Sequence, residues 1–289
     1  MEPESRVGQN MSRRKTRRGF LRDFAKLSGG GVMVKHLQRF PLAAAMVLSA
    51  MPPTAVMAEQ TSAFHDPFET LDEGRWHVAD YDFDHPHFDT DWRRRQVQHE
   101  GSASRLALVI APRAGASLAP RNRFEGASLR RRETSGFGRY EADIKPARGA
   151  GLVTGFFLYT GPYYGTRHDE IDIEFLGKNT RMMQASWFVD GALQTRQIPL
   201  GFDAAAQSRR YAFEWWPDRL RWFVGAQMVF EVTREQAQLP EVPGHLYLNL
   251  WAAAPSLANW AGRASPQTRG KARINAVRFT PLADLNRAA

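Results

Sequence analysis

The stretch His168-Asp169-Glu170-Ile171-Asp172-Ile173-Glu174-Phe175-Leu176-Gly177 decides how this chain folds. Its polar and apolar residues alternate strictly, and successive side chains of a β-strand point to opposite faces of a sheet. The carboxylates would share one face: Glu170, Asp172 and Glu174. The apolar side chains would share the other: Ile171, Ile173 and Phe175. We therefore expect a strand whose apolar face is packed in a core while its acids line the opposite face.

Three neighbouring carboxylates on one strand face need an explanation, because like charges side by side destabilise a sheet. A pair of carboxyl groups is what cleavage of a glycosidic bond requires. Asp172, between the two glutamates, would shift the pKa of either one. Calcium also favours carboxylate clusters, and an acidic strand can simply face solvent. The pattern favours catalysis by Glu170 and Glu174, and it leaves calcium and an inert surface open.

Short β-rich runs recur outward from this strand and are separated by turn residues such as Asp190-Gly191 and Pro217-Asp218. They cover 105–110, 137–144, 152–159, 211–216, 220–224, 228–232, 245–251 and 272–279. The short gap between 220–224 and 228–232 predicts a hairpin. No window has the period of a long amphipathic helix, and 204–210 predicts at most a short turn. The predicted fold class is all-β, a sandwich of two antiparallel sheets.

Residues 1–58 have the pattern of an export leader. Lys35, His36 and Arg39 precede a short apolar run at 42–48, and Val56-Met57-Ala58 offers a cleavage site before Glu59. The run is far shorter than the ~20 residues of a membrane span, which favours a signal peptide over a stable anchor. Upstream, 16–22 resembles a twin-arginine export motif. The alternatives are export by that route and a start codon misassigned upstream of Met33.

Residues 59–289 show no linker, repeat or low-complexity segment, so we expect one domain there. Nothing in them indicates oligomerisation, and we predict a monomer that is periplasmic or secreted. The stated net charge of +9 lies mostly in the leader, which holds 10 of the 39 basic and 3 of the 30 acidic residues. This distribution argues against nucleic acid as a partner.

One basic run remains in the body of the chain, Arg130-Arg131-Arg132. This run is expected to be either a solvated face or a binding site for a polyanion. The chain contains no cysteine, which excludes disulfides, zinc thiolate sites and a cysteine nucleophile.

The run Glu170-Ile171-Asp172-Ile173-Glu174 resembles the active-site signature of glycoside hydrolase family 16. Further segments resemble the bacterial β-1,3-1,4-glucanases (lichenases) of that family, in order, over roughly 66–280. They are 136–141, 145–147, 157–162, 165–166, 169–178, 201–204, 211–215 and 249–251. The signature lacks the extra residue that laminarinase-type members carry before the last glutamate. This favours the lichenase-like branch, which includes enzymes that trim acidic exopolysaccharides such as succinoglycan.

The resemblance implies a jelly-roll sandwich of two curved sheets with the substrate on its concave face. It implies a retaining endo-β-glycanase that hydrolyses a β-1,3/1,4-linked glucan or a related bacterial exopolysaccharide. Glu170 would be the nucleophile, Glu174 the general acid/base and Asp172 the helper. A transglycosylase using the same glutamates and a sugar-binding sandwich without catalysis are the alternatives.

Aromatic and polar residues elsewhere are candidates for binding the polysaccharide. Trp251 and Trp260 are predicted sugar platforms, because aromatic faces stack on pyranose C–H faces, with core packing as the competing role. Trp187 is a third such candidate. Asn249 lies two residues before Trp251 on the same strand face and is expected to bond sugar hydroxyls. Arg130 is placed by its similarity to a substrate-binding arginine of the family.

The chain departs from the lichenase pattern in several places. His168 stands where lichenases carry Trp, 186–188 reads Ser-Trp-Phe instead of Asn-Tyr-Tyr, and their cysteine pair is missing. His168 and the run 130–132 would suit an anionic polysaccharide, and the alternative for His168 is a polar neighbour of Asp169. Asn275 replaces an aspartate calcium ligand, which argues against a structural calcium. No cofactor is predicted.

Overall fold

The structure is a computed structural model that describes residues 62–100, 105–114 and 122–288. The predicted leader lies outside these residues. The described part consists mainly of β-strands, which confirms the predicted all-β class. The strands are β1 Phe64–Asp66, β2 Trp76–Val78, β3 Thr90–Trp92, β4 Val97–His99, β5 Leu106–Pro112, β6 Phe124–Ser135, β7 Gly138–Lys145, β8 Leu152–Thr160, β9 Asp169–Leu176, β10 Met182–Val189, β11 Ala192–Pro199, β12 Arg209–Trp215, β13 Arg219–Val224, β14 Gln227–Thr233, β15 Gly244–Ala252 and β16 Gly270–Pro281. The helices are α1 Ala258–Ala261 and α2 Leu282–Ala288.

The strands form two layers. The first sheet has the order β11-β10-β9-β8-β15-β6, all antiparallel, and β2 also pairs with β6. The second has the order β5-β16-β7-β12-β13-β14, again antiparallel, with β4 on β5 and β1 on β16. The layers join where the end of β5 pairs with the start of β6. This curved, nearly closed sandwich confirms the predicted jelly roll.

The core fills the space between the sheets, and β9 contributes its apolar face to it. Ile171, Ile173 and Phe175 are almost fully buried. Phe175 meets Tyr211 of β12 edge-on, with ring centroids 4.7 Å apart, so the contact spans both layers. Burying each such side chain stabilises the fold by about 1.5–3 kcal/mol. This burial fixes which face of β9 is turned away from the core.

The predicted strands are all found, with ends within two residues of the expected ones. The predicted hairpin is β13–β14, which turns at Gly225-Ala226. Strands β1 to β4, β6, β10 and β11 lie outside the predicted runs, and helices α1 and α2 were not predicted either. β11 is an edge strand whose side chains are mostly exposed, so it has no apolar face to reveal it. Among the described residues, no helix is long and apolar enough to cross a membrane.

The run 130–132 belongs to β6 and does not form one basic surface. Arg131 is buried, lies over the Phe64 ring at 4.1 Å and pairs with Glu133 at 2.9 Å. Arg132 instead donates from Nε to the Glu73 carbonyl at 2.8 Å. The reading of this run as a solvated face or a polyanion site is therefore wrong for Arg131, because alternation along a strand separates neighbouring side chains.

Candidate active site

Strand β9 lies inside the first sheet, between β8 and β10, and its three acids stand in three successive rows. Glu170 pairs with Tyr159 and Phe188, Asp172 with Phe157 and Ser186, and Glu174 with Gly155 and Gln184. We call this side of the sheet, turned away from the core, the carboxylate face. The predicted alternation of β9 is confirmed, and both glutamates lie on this one face.

Glu174 is held by a neighbouring glutamine that the sequence analysis missed. Nε2 of Gln184 donates to Oε2 of Glu174 at 2.8 Å. Trp260 Nε1, at 2.9 Å, and Gln197 Nε2 both donate to Oε1 of Gln184 and so orient its amide. Burial, and then the charge of Glu170, raise the pKa of Glu174 to about 8, and the bond from Gln184 opposes this rise. Glu174 therefore carries a proton at neutral pH and can act as an acid.

Asp172 is a buried carboxyl between two others. Burial raises its pKa well above the ordinary value, and the charges of Glu170 and Glu174 raise it further. A hydrogen bond with Glu170 acts in the same direction. Neutral Asp172 can therefore donate to Glu170, because carboxyl groups this close share a proton instead of both ionising.

His168 lies next to Glu170. Its Nε2 is 2.7 Å from Oε2 of Glu170, and both side chains are buried. The imidazole stacks on Phe188, with ring centroids 4.6 Å apart, and meets Tyr159 edge-on at 5.2 Å. The alternative that His168 is a polar neighbour of Asp169 stays a prediction, and the contact that the structure shows is with Glu170. Its burial also leaves little surface for the predicted direct contact with substrate.

Asp169 opens β9 and is almost fully buried. Its carboxylate accepts two bonds from Arg167, each 2.9 Å long. It also accepts from the backbone N–H groups of Asp190 at 3.2 Å, Glu241 at 2.7 Å and Val242 at 3.2 Å. Charge-assisted bonds of this kind are stronger than neutral ones. They tie the start of β9 to two other segments of the chain.

Asn249 and Arg130, both predicted to contact the substrate, lie on the carboxylate face. Asn249 pairs with Gly155, in the row of Glu174, and its buried Oδ1 has no hydrogen-bond partner in the structure. Arg130 pairs with Tyr247, in the row of Asp172. Its guanidinium lies over the Tyr164 ring at 5.6 Å and 3.4 Å from His245 Nε2.

The two predicted platforms at the Glu174 end differ in exposure. Trp251 lies on the carboxylate face, but only 5% of it is exposed, because Phe88 stacks on it with ring centroids 4.1 Å apart. Trp260, on α1, is half-buried and 5.9 Å from Trp251 between centroids. Trp260 also carries the bond to Gln184, so it is the better placed of the two to meet a ligand near Glu174.

The prediction for Trp187 is wrong. Trp187 pairs with Ile171, so it lies on the core face of the sheet. It packs near Trp222 and Phe230, with centroids 5.8 and 6.3 Å away, and its Nε1 donates to the Gln238 carbonyl. The residues that do face outward on β10 are its neighbours Ser186 and Phe188, because strand neighbours alternate.

Asn275 lies in a β-bulge of β16, between Ile274 and Ala276, and its buried Oδ1 has no hydrogen-bond partner. Within the described ranges, no group of three or more His, Cys, Asp or Glu side chains is placed to hold a metal. One neutral amide oxygen fits calcium less well than the carboxylates this ion prefers. The expectation of no structural calcium stays a prediction.

Aromatic residues that were not predicted from the sequence also line the carboxylate face beside Asp172. Phe157 stacks on Tyr247 with centroids 5.0 Å apart, and the Tyr247 and Tyr164 hydroxyls are 2.5 Å apart. The run 152–159 was predicted to be a strand, but most of its residues on both faces are apolar, so the sequence did not show which face Phe157 and Tyr159 share. The bond from Gln184 to Glu174 could not be predicted from the sequence either, because it depends on the register of β10 against β9.

Comparison with known proteins shows the family of this chain. The family model "Glycosyl hydrolases family 16" matches residues 84–275. The chain is 34% identical to a beta-glucanase of Bacillus licheniformis over 224 residues, covering 77% of this chain and 88% of the relative. It is also 34% identical to a beta-glucanase of Bacillus subtilis over 241 residues, covering 83% and 95%.

Solved structures show the same likeness. A prokaryotic beta-1,3-1,4-glucanase (lichenase) derived from a mouse hindgut metagenome superposes with a TM-score of 0.71 at 32% identity. The match covers 77% of this chain and all of that one.

Proposed function

Because this chain belongs to glycosyl hydrolase family 16, we propose that it is an endo-acting β-glucanase that cleaves β-1,3/1,4-linked glucan with retention of configuration. The observation that carries this proposal is the pair of glutamates on β9. Glu174 holds a proton at neutral pH, and Glu170 lies on the same face of the same strand, where it would act as the nucleophile. Two carboxyl groups in different protonation states are what a retaining glycosidase needs.

In the first step, a Glu170 oxygen attacks the anomeric carbon of the sugar. The bond from that carbon to the leaving oxygen breaks, and Glu174 gives its proton to this oxygen. A glycosyl ester on Glu170 results. Neutral Asp172 would donate to Glu170 before the attack and to the ester afterwards.

In the second step, Glu174 works as a base. Ester formation removes the charge of Glu170, which is one of the causes of the raised pKa of Glu174. The pKa of Glu174 should therefore fall in the intermediate, and a carboxylate there can accept a proton from water. The water oxygen bonds to the anomeric carbon, the ester bond breaks, and Glu170 leaves as a carboxylate.

The rest of the carboxylate face would hold the polysaccharide. We assign sugar contacts to Asn249 and Arg130, and a platform to Trp260 next to Glu174. Trp251 would contribute to the same sugar-binding surface, although Phe88 stacks on it. The catalytic domain would comprise 59–289 and act as a monomer after export, with 1–58 as the leader; the pattern of that leader supports export.

The proposal is tested with Glu170→Gln and Glu174→Gln on mixed-linkage β-glucan. We expect reducing-end release to fall at least about a thousandfold while the circular dichroism spectrum is unchanged. A rapid viscosity drop with wild-type protein would show endo action, and NMR of the first product would show its anomer. Full activity of either variant would overturn the assignment. Sugar binding without cleavage by wild-type protein would favour the binding sandwich, and longer products with added acceptors would favour the transglycosylase.

One observation bears on the polymer: in the part of the chain that the structure describes, Arg130 forms no ion pair with a carboxylate. An unpaired guanidinium beside Tyr164 suits a sugar that carries an acidic group. A panel of mixed-linkage glucan, laminarin and an acidic succinoglycan-type polymer would decide. Arg130→Gln should reduce kcat/KM for the acidic polymer more than for the neutral ones if the acidic group meets this residue.

A further inference from the structure

His168 stands in contact with the reacting carboxylate, and the proposed chemistry gives it no part. We propose that His168 is a positioning residue, which holds Oε2 of Glu170 so that the other oxygen, Oε1, is presented to the anomeric carbon. This inference rests on the proposed function, because it needs Glu170 to be the nucleophile.

The contact has the features of a fixed hydrogen bond. Nε2 of His168 lies 2.7 Å from Oε2 of Glu170, and His168 is only 4% exposed. Water therefore competes little for either group. A bond to a charged acceptor in such surroundings contributes more than one at the surface.

The imidazole is itself held in place, which a positioning residue requires. Phe188 stacks on one side of it and Tyr159 meets it edge-on. The His168 carbonyl accepts the Gly191 N–H at 2.9 Å, so the backbone is fixed too. Both aromatic residues pair with Glu170 across the sheet. The nucleophile and the two aromatic residues that hold the imidazole are thus cross-strand neighbours on β8, β9 and β10.

Fixing one oxygen matters because a carboxylate otherwise rotates about its terminal side-chain bond. A misplacement of 1 Å costs on the order of a hundredfold in rate. Asp172 also contacts Glu170, but it belongs to the next row of the same strand. His168, which directly precedes β9, contacts Glu170 from the opposite direction along the chain.

The test isolates attack by Glu170 from proton donation by Glu174. A 2-deoxy-2-fluoro-β-glucosyl fluoride carrying further glucose units loses fluoride without acid help. The bond from C1 to the Glu170 oxygen forms, the C1–F bond breaks, and the ester accumulates. The rate constant of this trapping, measured by mass spectrometry per folded molecule, therefore reports on the nucleophile alone.

We expect His168→Phe, which keeps an aromatic ring on Phe188 but has no donor, to trap about a hundredfold more slowly than wild type. His168→Gln, whose amide can reach Glu170, should recover most of the rate, while the shorter His168→Asn should not. The comparison of Gln with Asn stands even if the Phe variant does not fold. The matched control is His99→Phe, which removes a 2.7 Å bond to the Phe68 carbonyl far along the chain and should trap normally.

Trapping at the wild-type rate in folded His168→Phe, or equal rates for the Gln and Asn variants, would overturn the positioning role. In either case a label on Glu170 in wild-type protein would leave the proposed function intact. A wild-type label on another residue would overturn the proposed function, and the role of His168 with it.

Discussion

The amide oxygen of Asn249 lies 2.5 Å from the point where a Cβ on Gly155 would stand. Gly155 is the residue between Asn249 and Glu174 across three strands. A Cβ cannot approach an oxygen this closely, so only glycine leaves Asn249 its present place beside the acid. Glycine at position 155 is therefore required for the arrangement of the site.

Gly155→Ala should lower kcat/KM by at least about tenfold, because the added Cβ displaces the Asn249 amide from the row of Glu174. The measurement is kcat and KM on mixed-linkage glucan. Gly136→Ala is the matched control, since a Cβ there would meet only Pro243, at 3.8 Å. Equal losses in both variants would show that the effect is not specific to the site.

The pH dependence of kcat/KM should show an alkaline limb near pH 8, the pKa of Glu174, because the acid must be protonated in the free enzyme. Gln184→Met removes the bond that opposes this raised pKa, so the limb should move up by about one pH unit. Gln197→Met, which removes a donor to Gln184 but spares the bond to Glu174, should move it less. A limb that moves down in Gln184→Met would contradict this account.

Glu174→Gln should be more stable than wild type at high pH, and the difference in unfolding free energy should grow as pH rises. The folded-state pKa of Glu174 is raised from 4.5 to about 8, so between these values the unfolded chain loses a proton that the folded chain keeps. Wild type loses stability across that window, whereas the neutral amide does not. Thermal melts at pH 4 and pH 8 should show a gain only at pH 8, at ~2–4 °C per kcal/mol. The exposed Glu235→Gln is the control, and a gain of the same size at pH 4 would refute the explanation.

The two tryptophans Trp187 and Trp260 should respond in opposite ways. Trp187→Ala leaves a cavity in the core and should cost about 3–5 kcal/mol of unfolding free energy, with KM unchanged where the protein is folded. Trp260→Ala should raise KM severalfold with a smaller loss of stability. Urea denaturation and steady-state kinetics measure both effects. A raised KM in folded Trp187→Ala would restore its place among the sugar contacts.

The sequence predicted strands from runs of β-forming residues, and it predicted the orientation of a strand only where the two faces differ in polarity. In β9 the alternation is strict, so burial of Ile171, Ile173 and Phe175 alone determines where Glu170 and Glu174 point. The fold class and the pair of acids follow from that pattern. The same logic failed in β6, where Arg131 is buried by stacking on Phe64 instead of by any apolar character of its own.

The rest of the site depends on how strands are aligned, which a single sequence does not state. In β10 the order Ser186-Trp187-Phe188 places aromatic residues on both faces, so periodicity cannot tell which one is buried. Gln184 reaches Glu174 only because β10 pairs with β9 in one register. The contact of His168 with Glu170 depends in addition on the ring positions of Phe188 and Tyr159.

The carboxylate of Asp169 gathers backbone amides from two segments that are about fifty residues apart in the chain. It also begins the strand that carries both glutamates. Asp169 thus links the segments at Asp190 and Glu241 to β9, one residue before Glu170. The segments at Asp190 and Glu241 therefore cannot move far without also moving the start of β9. Weakening their bonds to Asp169 should misalign Glu170 and Glu174 and should not simply ease the entry of substrate.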